Sequence, residues 1–196
     1  MANSANLTSK VLETPGVPGK IHQNRCILTT TGTDLVVHTP LRSGGSIYVK
    51  GIFGCETSPT NLTFKQRSAS LTGTVATTSG STTLTGTGTQ FLTDYASLMP
   101  GAEIVIDAGG TPIAYTIASV TDNTHIVLSA AASSTVSGKT HARQGTIITP
   151  ELAANEGFLE RVGTGWVMAT QANYALVLNT SVAISEMLVH TQEGLS

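Results

Sequence analysis

Charge is the scarcest property of this sequence. Of 196 residues, 10 are Lys or Arg and 12 are Asp or Glu, 11% in all, where a soluble domain ordinarily carries about 25%. The net charge is −2, without the basic excess or stripe of a nucleic-acid binder, so no nucleic acid is expected as a partner. Disordered chains combine large net charge with few Val, Ile and Leu. Here the hydrophobic share stays at 40%, so a core is expected. No apolar run approaches the roughly 18 residues that span a bilayer, so no membrane is expected either. The opening MANSANLTSK has neither a basic start nor an apolar stretch, which predicts no secretory signal.

Cysteine is nearly absent. Cys26 and Cys55 are too few for a disulfide framework and are wrongly spaced for zinc. They read as two small buried thiols in neighbouring strands, with a single bridge as the alternative. Aromatic residues number nine, few for a sugar-binding platform. Trp166 follows a Gly-Thr-Gly turn and reads as a core anchor before a ligand contact. His22, His38, His125, His141 and His190 are scattered, with no pair at metal-ligand spacing. Most acidic residues, among them Asp34, Glu56, Asp94, Asp107, Asp122, Glu151 and Glu156, sit beside turn residues, where solvation explains them. Glu160 and Glu186 lie inside strand candidates and are expected to face outward or into a subunit interface. Gly86-Thr-Gly88 lacks the Lys-Ser/Thr and following helix of a phosphate loop, and no Gly-x-Ser-x-Gly elbow occurs. No catalytic residue, metal site or cofactor is therefore expected. Three Asn-x-Ser/Thr triplets, at Asn6, Asn61 and Asn179, read as accidents of a Thr-rich chain.

Hydroxyl fills the vacated positions. The chain has 32 Thr and 18 Ser, about a quarter of its residues. Thr and the β-branched aliphatics recur in short runs separated by Gly, Asn, Asp, Pro and Ser, the signature of strands and turns. Strands are expected in 20–30, 34–39, 46–53, 61–67, 102–107, 112–120, 125–130, 143–148, 158–162, 166–170, 174–179 and 182–191. One helical turn, capped by Thr93 or Asp94, is expected before Pro100-Gly101, and another after Thr149-Pro150. The texture changes at residue 70, where SLTGTVATTSGSTTLTGTGTQ begins, and the outer texture returns near 143. An all-β, antiparallel β-sandwich (20–69 plus 142–196) is expected, interrupted by an inserted small β-barrel (70–141), because insertions are accepted at hairpin tips. Lys65, Arg67, Lys139 and Arg143 flank the insertion, and charge is expected to cluster there. Residues 1–19 read as an extended N-terminal arm, since Thr14-Pro-Gly-Val-Pro-Gly19 alternates Pro and Gly.

The run 71–91 is similar to a module of tailed-bacteriophage virion proteins, with Gly88, Phe91 and Pro100-Gly101 as ordered anchor positions. The same holds for its continuation through Leu98-Met-Pro-Gly-Ala-Glu-Ile-Val-Ile106, Tyr115-Thr-Ile-Ala-Ser-Val120 and Thr124-His-Ile-Val-Leu-Ser129. The flanks resemble phage head decoration or fibre proteins more loosely. Tyr174–Ile184, leading to Met187-Leu-Val-His190, looks like the final strands of trimeric jelly-roll proteins. The resemblance implies a non-enzymatic virion protein, assembled in the host cytoplasm: a capsid decoration (cement) protein with a jelly-roll-like sandwich that stabilises the head. Its implied partners are the major capsid protein or other virion subunits, and copies of itself in a homotrimer. Such a component buries charge-poor surface against its neighbours. Val11, Leu12 and Val17 of the arm are the candidate partner-binding residues. The alternatives are a phage tail or fibre component, or a carbohydrate-binding module that contacts the host surface.

Overall fold

A computed structural model describes residues 5–12, 21–28, 34–55, 60–98, 101–109, 112–149, 151–152, 157–161, 168–181 and 183–195. The fold is all-β and antiparallel, with two sheets. The chain forms two compact units, Met1–Gln66 with Ile147–Ser196, and Arg67–Thr146.

Numbered along the whole chain, the first unit begins with β1 (Ala5–Leu12), β2 (Ile21–Leu28), β3 (Leu35–His38), β4 (Gly45–Cys55) and β5 (Thr60–Arg67). The second unit contributes β6 (Thr74–Thr77), β7 (Thr83–Thr87), α1 (Phe91–Asp94), β8 (Glu103–Asp107), β9 (Pro112–Asp122), β10 (His125–Leu128), β11 (Val136–Lys139) and β12 (His141–Ile148). The chain returns to the first unit with β13 (Glu151–Leu152), β14 (Gly157–Arg161), β15 (Met168–Ala169), β16 (Ala175–Thr180) and β17 (Ile184–Leu195).

In the first unit one sheet has the order β1-β2-β17-β4-β14, with β15 also on β4. In the other sheet β5, β16 and β3 are consecutive, and β13 pairs β5. Buried side chains of both, including Ile47, Val49 and Ile52 of β4, Val189 of β17, Phe64 of β5 and Leu176 and Leu178 of β16, form one core. Alternation directs them inward, with one change of phase. Residues 47 and 49 of β4 are buried, then residue 52. The ladder explains this: His190 pairs Gly51 while Thr191 pairs Val49, so Lys50 is an extra residue that resets the alternation. Successive residues of β16, Ala175-Leu-Val-Leu178, are all buried.

Three sequence expectations change in this unit. The arm contains a regular strand, for Ala5–Leu12 pairs Ile21–Leu28 in continuous antiparallel register; residues 13–20 lie outside the described residues. The turn expected at Pro150 is replaced by strand β13, whose Glu151 and Leu152 pair Asn61 and Thr60. The cysteines are not in neighbouring strands. Cys26 and Gly54 both pair Met187, so β17 separates β2 from β4. Two strand spacings come to about 9.5 Å, beyond the roughly 7 Å that a disulfide bridges. Cys26 is free and buried.

The second unit has its strands following one another in the order β11-β6-β7-β10-β9-β8-β12. Its own core joins Val75, Leu84, Phe91, Tyr95, Ile104, Ile106, Tyr115, Ile117, Ile126, Leu128 and Ala132. In the β6–β7 hairpin, Leu84 points in while Thr83 and Thr85 are exposed. Thr here supplies strand propensity on the wet face without charge. The expected helical turn occurs earlier, at Phe91–Asp94, and its N-cap residue Gln90 makes no side-chain cap; Asn123 Oδ1 accepts from Leu92 N at 3.1 Å instead. Thr93 and Asp94 lie inside it and donate their N–H groups to the Gln90 carbonyl. Fully buried Phe91 fixes the start by plugging the core. The segments that enter and leave the unit are joined by bonds from Ser68 N to Arg143 O (2.9 Å) and Leu71 N to His141 O (2.8 Å).

Candidate contact surface

Arg143 organises one wall of an open groove in the second unit. Its Nη1 donates to the Asp94 carbonyl at 2.8 Å and its Nη2 to the Ser97 carbonyl at 3.2 Å. These bonds satisfy carbonyls that a one-turn helix leaves open, and they hold 94–97 in place. Leu92, Tyr95, Ala96 and Leu98 then face Ala118, Ser119 and Val120 of β9 across a cavity of about 580 Å³. Leu92 is 52% exposed and Leu98 49%, while Tyr95 is buried. The lining carries no charge. Two large exposed leucines in one lining stand out in a unit whose exposed strand positions are mostly Thr, Ser and Ala. The arrangement suits apolar contact. It offers no exposed aromatic face on which a sugar ring would stack.

Other polar clusters serve the fold. Asp122, Thr124 and His125 close the β9–β10 turn. Asp122 accepts from Thr124 N (2.6 Å) and Thr124 Oγ1 (2.8 Å), and His125 Nδ1 lies 2.9 Å from Oδ2. The Thr124 backbone bond is the chief reason that the Asp122 carboxyl is held down to about 2. In the first unit, Asn24 Nδ2 donates to Val189 O (3.1 Å) and Thr191 Oγ1 (3.0 Å), and His38 Nδ1 lies 2.6 Å from the same hydroxyl. This buried bridge links β2 and β17 of one sheet to β3 of the other. Glu193 accepts from Leu41 N (3.0 Å) and Arg42 N (2.8 Å), fixing a loop at whose tip Leu41 is 76% exposed.

Of the candidate partner residues, Val11 pairs His22 and Leu12 pairs Ile21 in the backbone ladder. Their side chains, like Val17 as a whole, lie outside the described residues, as do Trp166 and the side chains of Glu160 and Glu186. Three of the four basic residues flanking the insertion have separate tasks. Lys65 lies 3.6 Å from Asp34 in the first unit. In the second, Arg67 Nε donates to Gln144 Oε1 (2.6 Å), Gln144 Nε2 donates to Glu103 Oε2 (2.7 Å), and Arg143 holds the groove wall. The groove itself was not singled out by the sequence. Its one signal was the pair Leu92 and Leu98, flanking Tyr95 in a stretch otherwise rich in hydroxyls.

Among the described residues no His, Cys, Asp and Glu side chains group as a metal would need, and no helix is long and apolar enough to cross a membrane. No protein-family model, curated protein or solved structure matches the chain.

Proposed function

We propose that this chain is a non-enzymatic structural protein of a tailed-phage virion. In this reading it is a capsid decoration protein with a jelly-roll-like first unit that binds the major capsid protein as a homotrimer. The observation that carries the reading is the interleaving of strands. In the order β2-β17-β4-β14 and again in β5-β16-β3, strands from before residue 67 alternate with strands from after residue 146. A long antiparallel hairpin rolled into two facing sheets has this alternation, and viral capsid and lectin domains use it. The Thr-rich run 71–91, similar to a virion module, favours the viral branch. The groove favours it too, since its exposed large side chains are leucines and its one aromatic, Tyr95, is buried. The charge-free groove and the exposed Leu41 tip supply the kind of surface that subunit contacts bury.

Copy number tests the proposal. Quantitative mass spectrometry of purified particles from the phage that encodes the chain is expected to find it in numbers comparable to the major capsid protein. Dozens of copies or fewer would replace the head assignment with a tail or fibre one. Its absence from particles would overturn the virion reading.

A further inference from the structure

The start of β12 carries a histidine into the dry core of the second unit. His141 is 2% exposed. Its Nε2 lies 3.2 Å from the Thr72 carbonyl oxygen. A carbonyl only accepts, so Nε2 bears the hydrogen and Nδ1 keeps a bare lone pair. That Nδ1 is buried with no hydrogen-bond partner. The ring meets Phe91 edge-on, with centroids 5.6 Å apart and an interplanar angle of 75°. In the same helical turn as Phe91, Asp94 has its Oδ2 buried and equally without a partner. The two unpartnered atoms are complementary in a particular way. A carboxylate oxygen needs a donor, and an imidazole lone pair becomes a donor once it takes a proton.

We propose that His141 and Asp94 form a proton-operated latch on the α1 wall of the groove. A proton from solvent binds His141 Nδ1, and the new N–H donates to Asp94 Oδ2, drawing α1 and the residues after it into a second position. Nothing else is consumed or released, and the proton returns to solvent when the latch opens. The Nε2 bond to Thr72 is the same in both states.

The charges around the imidazole leave Asp94 as its partner. The α1 segment contributes Asp94 and Tyr95. Residues 68–90, which hold Thr72 and the β6–β7 hairpin, contain no acidic or basic side chain. On β12 itself, Arg143 is committed to the Asp94 and Ser97 carbonyls. On β8, which pairs β12, Glu103 accepts from Gln144, and Asp107 is exposed. Burial lowers the affinity of His141 for a proton, opposed by the Thr72 carbonyl and by the charge of Asp94. The latch is therefore open at neutral pH and engages on acidification, below the ordinary histidine range.

Nuclear magnetic resonance on the full chain, from about pH 7.5 to about pH 5, tests this across the histidine range. The expected result has three parts. His141 holds a single Nε2–H tautomer at the upper end. It titrates below the usual histidine midpoint. The backbone amides of 91–97 shift with the same midpoint. In Asp94→Ala the His141 midpoint falls further and the amides of 91–97 no longer follow it. Asp94 is only partly buried and its carbonyl bond to Arg143 is retained, so this variant preserves the wall. An Nδ1–H tautomer at neutral pH, amides that ignore the titration, or an unchanged midpoint in Asp94→Ala would each overturn the latch.

Discussion

Gly73 and Gly80 both hold positive φ, +89° and +83°, yet their surroundings differ. A Cβ on Gly80 would meet nothing within 4 Å, whereas one on Gly73 would meet the Gly88 and Thr87 backbones at 2.7 Å. Gly80→Ala is expected to cost about 1–2 kcal/mol, the penalty for a left-handed L-residue. Gly73→Ala adds overpacking against unyielding main chain and is expected to cost about 1–3 kcal/mol more. Urea unfolding of both variants measures the difference, and equal costs would refute the close approach. Cys26 is likewise set by its surroundings. Burial pushes its thiol up to about 12, so little thiolate exists near neutrality. Peptide mapping after alkylation should find Cys26 unmodified in the native protein and modified in urea. Two histidines fix the direction of the pH response. Burial holds both His141 and His190 below the ordinary histidine value. Below about 6.5 the unfolded chain therefore binds more protons than the folded one, and stability falls with falling pH. The urea midpoint is expected to be lower at about pH 5.5 than at about pH 7.5; a flat or rising midpoint would contradict this. Asp122 works in the same sense but at lower pH, outside that window. Its contribution is present above the unfolded carboxyl value and is lost only as pH falls through about 2.

Among the elements, β17 pairs with β2 on one side and β4 on the other. Met187 sits in this strand, 1% exposed and opposite both Cys26 and Gly54. Met187→Ala is expected to cost about 2–5 kcal/mol by leaving a cavity in the core, read as a shift in the urea midpoint. The strands of the core were legible in the sequence, because alternation such as Ile-Tyr-Val in β4 follows from burial of one face. Elements that rest on distant partners were not. β13 is two residues long and exists through Asn61 and Thr60, on the far side of an intervening unit. β11, Val-Ser-Gly-Lys, has almost no apolar content and is a strand because β6 pairs with it. β1 was hidden by the Pro and Gly that follow it, although Leu7, Ser9 and Val11 share a face. The helical turn was expected from caps and a stop, yet the burial of Phe91 placed it. The groove was illegible for the same reason, since it joins residues 92–98 to 118–120, and only tertiary structure makes them neighbours.

For the molecule as a whole, two separate cores mean two separate dependencies. No residue of the first core belongs to the second. Phe91→Ala is expected to remove about 3–5 kcal/mol from the second unit. Native-state hydrogen exchange should then show protection falling across 67–146 while strands β2, β4 and β17 keep theirs. Equal loss in both units would show that they unfold as one.

The interleaved strand order also constrains how the protein comes off the ribosome. In the first sheet β2 and β4 are not neighbours; β17 lies between them, and it is synthesised last of the three. Until then the nascent chain holds two strands whose shared partner does not yet exist, and their edges stay open to wrong pairing. All strands that begin within 67–146 are synthesised before β17, and each pairs with another strand of the same unit. The hydroxyl-rich unit is therefore expected to fold first, while the first sheet waits for its central strand.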